Sequence, residues 1–155
     1  MQENFCLHAK QKDIALNVTV EAGLPNLMGS WRMVRQILTN LVSNALKFTS
    51  DRGTVTITAT LAGGGELLIS VADTGIGMSE AEIAIALTPF GQVDGALSRS
   101  HEGTGLGLPL ARAMAKLHQA EFRIGSVRGA GTSVEIAFPA ARLIGPVEQP
   151  ISASA

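Results

Sequence analysis

The sequence predicts an α+β protein, a two-layer α/β sandwich with a mixed, mostly antiparallel sheet and its helices on one face. Strand-like runs occur in pairs around glycine turns, so hairpins outnumber the crossovers that a parallel sheet requires. The longest predicted helix has the 3/4 apolar spacing of an amphipathic helix that packs on such a sheet. The predicted order is helix, strand, helix, two strands, short helix, long loop, helix and two strands.

The first half of the chain is predicted to place a strand and a long helix before the first hairpin. Residues 14–20 alternate apolar and polar side chains, as a half-buried strand does, and Pro25 ends this segment. Ser30 is a suitable N-cap for a helix that continues to about Phe48. The apolar residues of this helix form one stripe: Val34, Ile37, Leu38, Leu41, Val42, Ala45 and Leu46.

Two strand pairs are predicted as hairpins. The first, over residues 54–61 and 66–72, surrounds three consecutive glycines. The second, over residues 122–127 and 132–138, surrounds a turn that contains Gly129. Between the hairpins we expect two helices and a long loop.

The shorter of these helices is predicted over residues 79–87, with Ser79 as its cap. Residues 89–102 show no period and are predicted to form a long loop. The second helix is predicted from about residue 106 to 118, because Pro109 is tolerated in a first turn.

Length and composition exclude several classes of function. The chain has 155 residues, 46% hydrophobic and 16% charged, which excludes intrinsic disorder. Its formal net charge of −1 provides no basic stripe, so we expect no nucleic-acid partner. No apolar run approaches a membrane span and the N-terminus lacks a signal-peptide pattern, so we expect no direct membrane contact from this chain. The single cysteine, Cys6, is compatible with a reducing cytosol, so we expect a cytoplasmic domain and leave open a membrane anchor in the full-length protein. We predict that residues 1–140 form the domain and that residues 141–155 form a disordered tail.

A carboxylate follows directly on the second strand of the first hairpin. Asp73 ends this apolar strand, and Gly75 and Gly77 come immediately after it. A carboxylate at this position is costly unless it is hydrogen-bonded, and glycines allow a flat ligand to approach the backbone. This pattern suits a heterocycle whose amino group donates to Asp73. An ordinary strand-to-helix turn, with Asp73 as a cap, is the alternative that these residues leave open.

Three glycines, Gly103, Gly105 and Gly107, lead directly into a helix. Unpaired N–H groups and the positive end of the helix dipole would form a phosphate site there. The segment is neither a Walker A motif nor a Rossmann fingerprint, because the required lysine and glycine spacings are absent. A flexible loop that ends at a helix is the alternative.

Two asparagines and a lysine share the second face of the long helix. Asn40, Asn44 and Lys47 lie at steps of four and three. Amide oxygens are acceptable Mg²⁺ ligands, and a lysine can bind phosphate oxygens as a point charge. An ordinary solvated helix face would also contain these residue types.

Taken together and in order, these segments resemble the N, G1, F and G2 boxes of sensor histidine kinases. The resemblance extends from about residue 14 to 139, and the four matching segments are residues 38–50, 73–78, 88–92 and 103–108. It implies the Bergerat fold that these kinases share with gyrase, mismatch-repair and chaperone ATPases, and therefore ATP and Mg²⁺ as ligands.

The resemblance also implies individual roles. Asp73 would read adenine, with Gly75, Ile76 and Gly77 shaping the pocket and Thr132 supporting it. Residues 89–104 resemble the ATP lid. The residues implied to contact the phosphates, the metal ion, the lid or the border of the nucleotide are Asn40, Asn44 (the Mg²⁺ ligand), Lys47, Phe48, Phe90, Arg99, Gly103, Thr104, Gly105, Leu106 and Gly107. Of these, Asn40, Lys47 and Arg99 are the implied catalytic residues.

The implied reaction is transfer of the γ-phosphoryl group to a histidine on a separate, dimeric helical domain. The partners would be that phosphoacceptor domain and a response regulator receiver domain. The acceptor-histidine box of the family is absent from this sequence, and His118 is expected to pack rather than react. Asn40 stands where the related ATPases carry a catalytic glutamate, which disfavours ATP hydrolysis because an amide is no base. The alternative is a nucleotide-binding regulatory module without phosphotransfer.

Overall fold

In the computed structural model, which describes residues 2–91 and 104–145, one layer of helices covers a five-stranded sheet. The helices are α1 (Gln2–Gln11), α2 (Trp31–Phe48), α3 (Glu80–Ala86) and α4 (Gly107–Leu117). The strands are β1 (Ala15–Val20), β2 (Asn26–Leu27), β3 (Thr54–Leu61), β4 (Leu67–Asp73), β5 (Glu121–Val127), β6 (Gly131–Phe138) and β7 (Leu143–Ile144). No helix in the described part of the chain is long and apolar enough to cross a membrane.

The strand order of the main sheet is β1-β3-β4-β6-β5. Strand β1 runs parallel to β3, with α2 in the crossover between them, while the other three pairs are antiparallel. The predicted α+β class, with a mixed and mostly antiparallel sheet, is therefore confirmed. Each strand presents every second side chain to the helices, which gives the sheet one buried face.

The hydrophobic core lies between the sheet and helices α2 and α4. On the opposite face of the sheet most side chains are polar, and Thr58 Oγ1 lies 2.7 Å from Ser70 Oγ on the neighbouring strand. This difference between the faces makes a two-layer rather than a three-layer fold. The buried apolar residues of the core include Ile37, Leu41, Ala45, Leu46, Val55, Val71, Ala111, Ala115, Val134, Ile136 and Phe138.

Helices α2 and α4 run antiparallel and are connected at both ends of α4, whose first residue contacts the middle of α2. At one end the buried His118 accepts the N–H of Ser30 at Nε2 (3.0 Å), so its Nδ1 carries the proton and donates to Met114 O (2.8 Å). A Cβ on Gly29 would lie 2.6 Å from the imidazole ring, so this position requires glycine. At the other end Asn40 Nδ2 donates to Gly107 O (3.2 Å). His118 is thus a packing residue, as predicted.

The helix caps follow the sequence signals. Ser30 caps α2 by accepting the N–H of Met33, and Ser79 forms a capping box with Glu82 at the start of α3. Arg128 at the tip of the β5–β6 hairpin forms an ion pair with the same glutamate. The start of α3 is therefore held against this hairpin.

The chain stays in regular structure past the predicted domain boundary. A single 3₁₀ turn over Ala140–Arg142 leads into β7, which pairs antiparallel with β2. The prediction of a tail that begins at residue 141 is therefore wrong for residues 141–145, whereas residues 146–155 lie outside the described residues. Strands of two residues are too short to show a period, so no sequence pattern indicated this pair.

The connection between α1 and β1 caps the C-terminus of α2. Lys12 Nζ donates to Leu46 O (3.1 Å), Lys47 O (3.0 Å) and Thr49 O (3.3 Å). An ammonium group has three donors, and the last carbonyls of a helix are its negative end, so the side chain and the site match. No sequence pattern predicted this contact.

Replacing Lys12 by methionine should lower the free energy of unfolding by about 1–2 kcal/mol, because three carbonyls lose a charged donor while the aliphatic length is kept. Urea unfolding of the wild type and the variant measures this difference. Lys10→Met is the matched control, since Lys10 is exposed on α1. Equal losses in both variants would show that the capping bonds contribute nothing specific.

Candidate functional site

Asp73 lies at the end of β4, on the face of the sheet that carries the helices. In the register of the sheet it stands between Val55 of β3 and Thr132 of β6. Its Oδ1 accepts the backbone N–H of Gly75 (2.8 Å) and of Thr132 (3.3 Å). Its Oδ2 accepts no hydrogen bond from a described residue. Burial raises the pKa of the Asp73 carboxyl, and the two N–H donors oppose that shift.

One oxygen of this carboxylate is therefore fixed by the backbone and the other can accept a hydrogen bond from a ligand. That arrangement supports a base-binding role more strongly than a capping role. A capping aspartate would use its oxygens on the first turn of the following helix. In this structure α3 is capped by Ser79 instead.

A hydroxyl pair extends the row that contains Asp73. Ser126 of β5 stands opposite Thr132, and their hydroxyl oxygens lie 2.8 Å apart. Ser126 Oγ also accepts the N–H of Met78 (2.7 Å) and donates to Gly131 O (2.9 Å). Sequence reasoning missed Ser126, although its place opposite Thr132 across the predicted hairpin was the available signal.

Two of the predicted pocket glycines are required by close contacts within the protein. A Cβ on Gly75 would lie 2.4 Å from Phe48 O, and one on Gly77 would lie 1.9 Å from Val127 O. Gly77 also has a φ of +64°, which favours glycine. Contacts within the protein thus already require glycine at both positions, and the expectation that these glycines leave room for a ligand stays a prediction. They bring the turn after β4 against α2 and the β5–β6 hairpin.

The C-terminal turn of α2 forms a neighbouring wall. The N–H of Ile76 donates to Phe48 O (3.2 Å), and the N–H of Gly129 donates to Ile76 O (2.7 Å). Lys47 Nζ lies 4.8 Å from the centroid of the Phe48 ring. Partial burial lowers the pKa of the Lys47 ammonium. The structure thereby brings Lys47, Phe48 and Ile76 to the carboxylate's side of the fold.

Asn40 and Asn44 lie one turn apart and face the start of α4. Asn40 is bonded at both ends of its amide, since Nδ2 donates to Gly107 O (3.2 Å) and Oδ1 accepts from Gln36 Nε2 (2.9 Å). The Asn44 amide is close to Gly107, where an added Cβ would lie 3.5 Å from Nδ2. It makes no hydrogen bond to a described residue, so its oxygen is available to a metal ion. Among the described residues no cluster of three or more histidine, cysteine or acidic side chains could hold one.

Helix α4 begins without a side-chain cap. Leu106 stands at its N-cap position and makes no side-chain hydrogen bond, and Pro109 in the first turn has no N–H. The N–H groups of Gly107 and Leu108 therefore have no partner within the helix, which suits an anion at this end. Gly105 has a φ of +67°, and a Cβ there would lie 2.9 Å from Gly91 O.

The two described ends of the predicted lid segment meet. The N–H of Phe90 donates to Gly105 O (3.2 Å), and Phe90 has a φ of +63°. Phe90 is 74% exposed and connects the two ends of this segment through its backbone N–H, so its predicted role in anchoring the lid stays a prediction. Thr104 is exposed, whereas Arg99 and Gly103 lie outside the described residues.

Comparison with known proteins gives one consistent result. Residues 29–142 match the family described as histidine kinase-, DNA gyrase B- and HSP90-like ATPase. The cell-division control histidine kinase PdhS of Brucella anthropi is 39% identical over 145 residues, which cover 88% of this chain and 14% of that protein. PdhS of Brucella suis biovar 1 is 38% identical over 144 residues, again 88% of this chain and 14% of that protein. The chain thus spans about one seventh of the length of these curated relatives.

Solved structures agree with the sequence relatives. Full-length ShkA in complex with AMPPNP superposes with a TM-score of 0.77 at 30% identity, over 96% of this chain and 29% of that one. The catalytic domain of the histidine kinase ThkA superposes with a TM-score of 0.74 over 88% of this chain and 87% of that one. At 21% identity, the likeness to ThkA supports the fold alone. The predicted resemblance to sensor histidine kinases is confirmed.

The buried carboxylate predicts a specific pH dependence of stability. Because the pKa of Asp73 is raised in the folded state, its contribution to stability is full below the unfolded value of about 3.9 and is lost as the pH rises through the folded value. An asparagine keeps an oxygen for the two N–H donors and carries no charge. The stability of Asp73→Asn relative to the wild type should therefore increase between pH 4 and neutrality, measured by urea unfolding of the nucleotide-free domain.

Glu21→Gln is the matched control for this measurement. Glu21 also accepts a backbone N–H, that of Leu61 (2.9 Å), but it is exposed and lies at the other end of the sheet. The increase with pH should be larger for Asp73→Asn, because Asp73 is buried and Glu21 is exposed. A relative stability of Asp73→Asn that falls with pH would contradict the stated cause of the shift.

Proposed function

The chain belongs to the histidine kinase-, DNA gyrase B- and HSP90-like ATPases, and we propose that it binds Mg-ATP and donates the γ-phosphoryl group to a histidine on a separate domain. The acceptor would lie on the dimeric helical phosphoacceptor domain of the same kinase. A response regulator receiver domain would be the next partner, and the reaction would take place in the cytoplasm. The observation that supports the proposal most directly is the carboxylate of Asp73 at the end of β4. Its Oδ1 accepts two backbone N–H groups, while its Oδ2 accepts no hydrogen bond from a described residue.

The base would bind at Asp73. With Oδ1 held by two backbone N–H groups, Oδ2 is positioned to accept from the exocyclic amino group of adenine. The walls would be Ile76 and the turn made possible by Gly75 and Gly77, while Phe48 would border the nucleotide. A purine fits this role because it offers a flat face and one amino group at its edge.

The phosphates would bind between α2 and the start of α4. The uncapped N–H groups of Gly107 and Leu108 and the positive end of the α4 dipole favour a polyanion. Backbone from Gly103 to Leu106, including Thr104, would enclose the phosphates from the lid side. Lys47 would supply a positive charge from the last turn of α2.

The donor set fits a magnesium ion bound together with phosphate. Asn44 would supply an amide oxygen, and the remaining ligands would be phosphate oxygens and water, which this hard cation prefers. When bound, the ion neutralises charge on the β- and γ-phosphoryl oxygens. Asn44 lies where this is needed, beside Gly107 at the helix end proposed for the phosphates.

Phosphoryl transfer needs little covalent chemistry from this chain. A bond forms between an imidazole nitrogen of the acceptor and the γ-phosphorus, the bond from the γ-phosphorus to the β,γ-bridging oxygen breaks, and ADP leaves. The chain's residues would bind, align and neutralise, with Lys47 and Arg99 as the cationic groups. Asn40 would orient the start of α4 through its bond to Gly107 O, and it offers no base for activating water, because an amide is no base.

Asp73→Asn should weaken the binding of ATP by about 10- to 150-fold, equivalent to roughly 1.5–3 kcal/mol. The amide keeps an acceptor for Gly75 and Thr132 and places a donor toward the adenine amino group. Calorimetric titration with a non-hydrolysable analogue measures the loss, with Glu21→Gln as control. Unchanged affinity in a folded Asp73→Asn variant would remove Asp73 from the adenine role.

The phosphotransfer proposal is tested by mixing the domain with the phosphoacceptor domain of its own full-length protein and labelled ATP. We expect acid-labile, base-stable phosphate on the partner, formed only when Mg²⁺ is present. Asn44→Ala should abolish most of this transfer, whereas Ser43→Ala should not, since Ser43 is its exposed neighbour on α2. Binding of ATP without any transfer would instead favour the regulatory module.

A further inference from the structure

The hydrogen bonds of Ser126 determine where the proton of Thr132 points. A serine hydroxyl has one donor and two acceptor positions. Ser126 Oγ uses its single donor on Gly131 O (2.9 Å) and one acceptor position on the N–H of Met78 (2.7 Å). The 2.8 Å contact with Thr132 Oγ1 must then be a bond in which Thr132 donates.

The side of the site that is proposed to contact the base therefore presents hydrogen-bond acceptors and no hydroxyl donor. Thr132 adjoins Asp73 in the sheet register, and its hydroxyl proton is committed to Ser126. Thr132 Oγ1 therefore has lone pairs to offer and no donor, as does Asp73 Oδ2. Two neighbouring acceptors suit a base with an amino group and repel a base with a carbonyl oxygen at the same place.

We propose that Ser126 is a specificity-determining positioning residue, which holds the Thr132 hydroxyl as an acceptor so that the site selects adenine over 6-oxopurines. The inference rests on the proposed nucleotide-binding function. Ser126 acts through Thr132 and does not need to touch the base. Without the serine, the Thr132 hydroxyl is free to rotate and donate to the oxygen of hypoxanthine.

The test compares the dissociation constants of ATP and ITP, which differ in the base alone. In Ser126→Ala the ratio of the ITP dissociation constant to the ATP dissociation constant should fall about five-fold, which is the effect of one neutral hydrogen bond. Ser126→Thr restores the hydroxyl and should recover the wild-type ratio. Ser133→Ala is the matched control, since Ser133 is exposed on the opposite face of β6, and it should leave the ratio unchanged.

The ratio separates this role from a structural one. Losing the acceptor for Met78 N–H could weaken both nucleotides together, and a common loss leaves the ratio unchanged. In a Thr132→Val background, Ser126→Ala should not lower the ITP-to-ATP ratio any further. Valine has no hydroxyl proton that the loss of Ser126 could free. An unchanged ratio in Ser126→Ala, or equal narrowing in both backgrounds, would overturn the inference. Failure of the wild type to bind ATP would instead overturn the proposed function.

Discussion

A single carboxylate on the inner face of the sheet constrains the surrounding structure. Asp73 stands in line with core positions, where an unpaired charge would be costly, and two backbone N–H groups on Oδ1 reduce that cost. One donor comes from the turn after β4 and the other from β6, so both must be held close. The turn after β4 and the start of β6 are therefore packed against the end of β4 that carries Asp73.

Close backbone approach meets that requirement. Gly131 has a φ of +110°, and a Cβ there would lie 1.9 Å from Asp73 O, just as Gly75 and Gly77 bring the turn against α2 and β5. Lys12 and His118 then hold the two ends of α2, one through three carbonyls and the other through the N–H of Ser30. The site is therefore assembled from elements far apart in sequence, each held by backbone hydrogen bonds.

The sequence predicted most of the fold because alternation and 3/4 spacing are local signals, and caps such as Ser30 and Ser79 stand where the helices begin. It identified Asp73 and the glycines as a group but did not indicate that contacts within the protein require Gly75 and Gly77. The atoms that a Cβ would contact at a glycine position depend on tertiary packing. Lys12 and Ser126 were missed for a related reason, since their partners lie in other elements and no spacing along the chain encodes them.

The amide of Asn40 links the packing of α2 against α4 to the choice between phosphoryl transfer and hydrolysis in the proposed function. It donates to Gly107 O and accepts from Gln36, and a glutamate at this position could accept but not donate. A carboxylate would therefore lose the bond to the first residue of α4, the helix end proposed for the phosphates. The same asparagine that positions this end also provides no base for water. Under the proposed function, positioning the phosphate site and avoiding hydrolysis would both come from this residue, which suits a site that keeps its phosphoryl group for an acceptor.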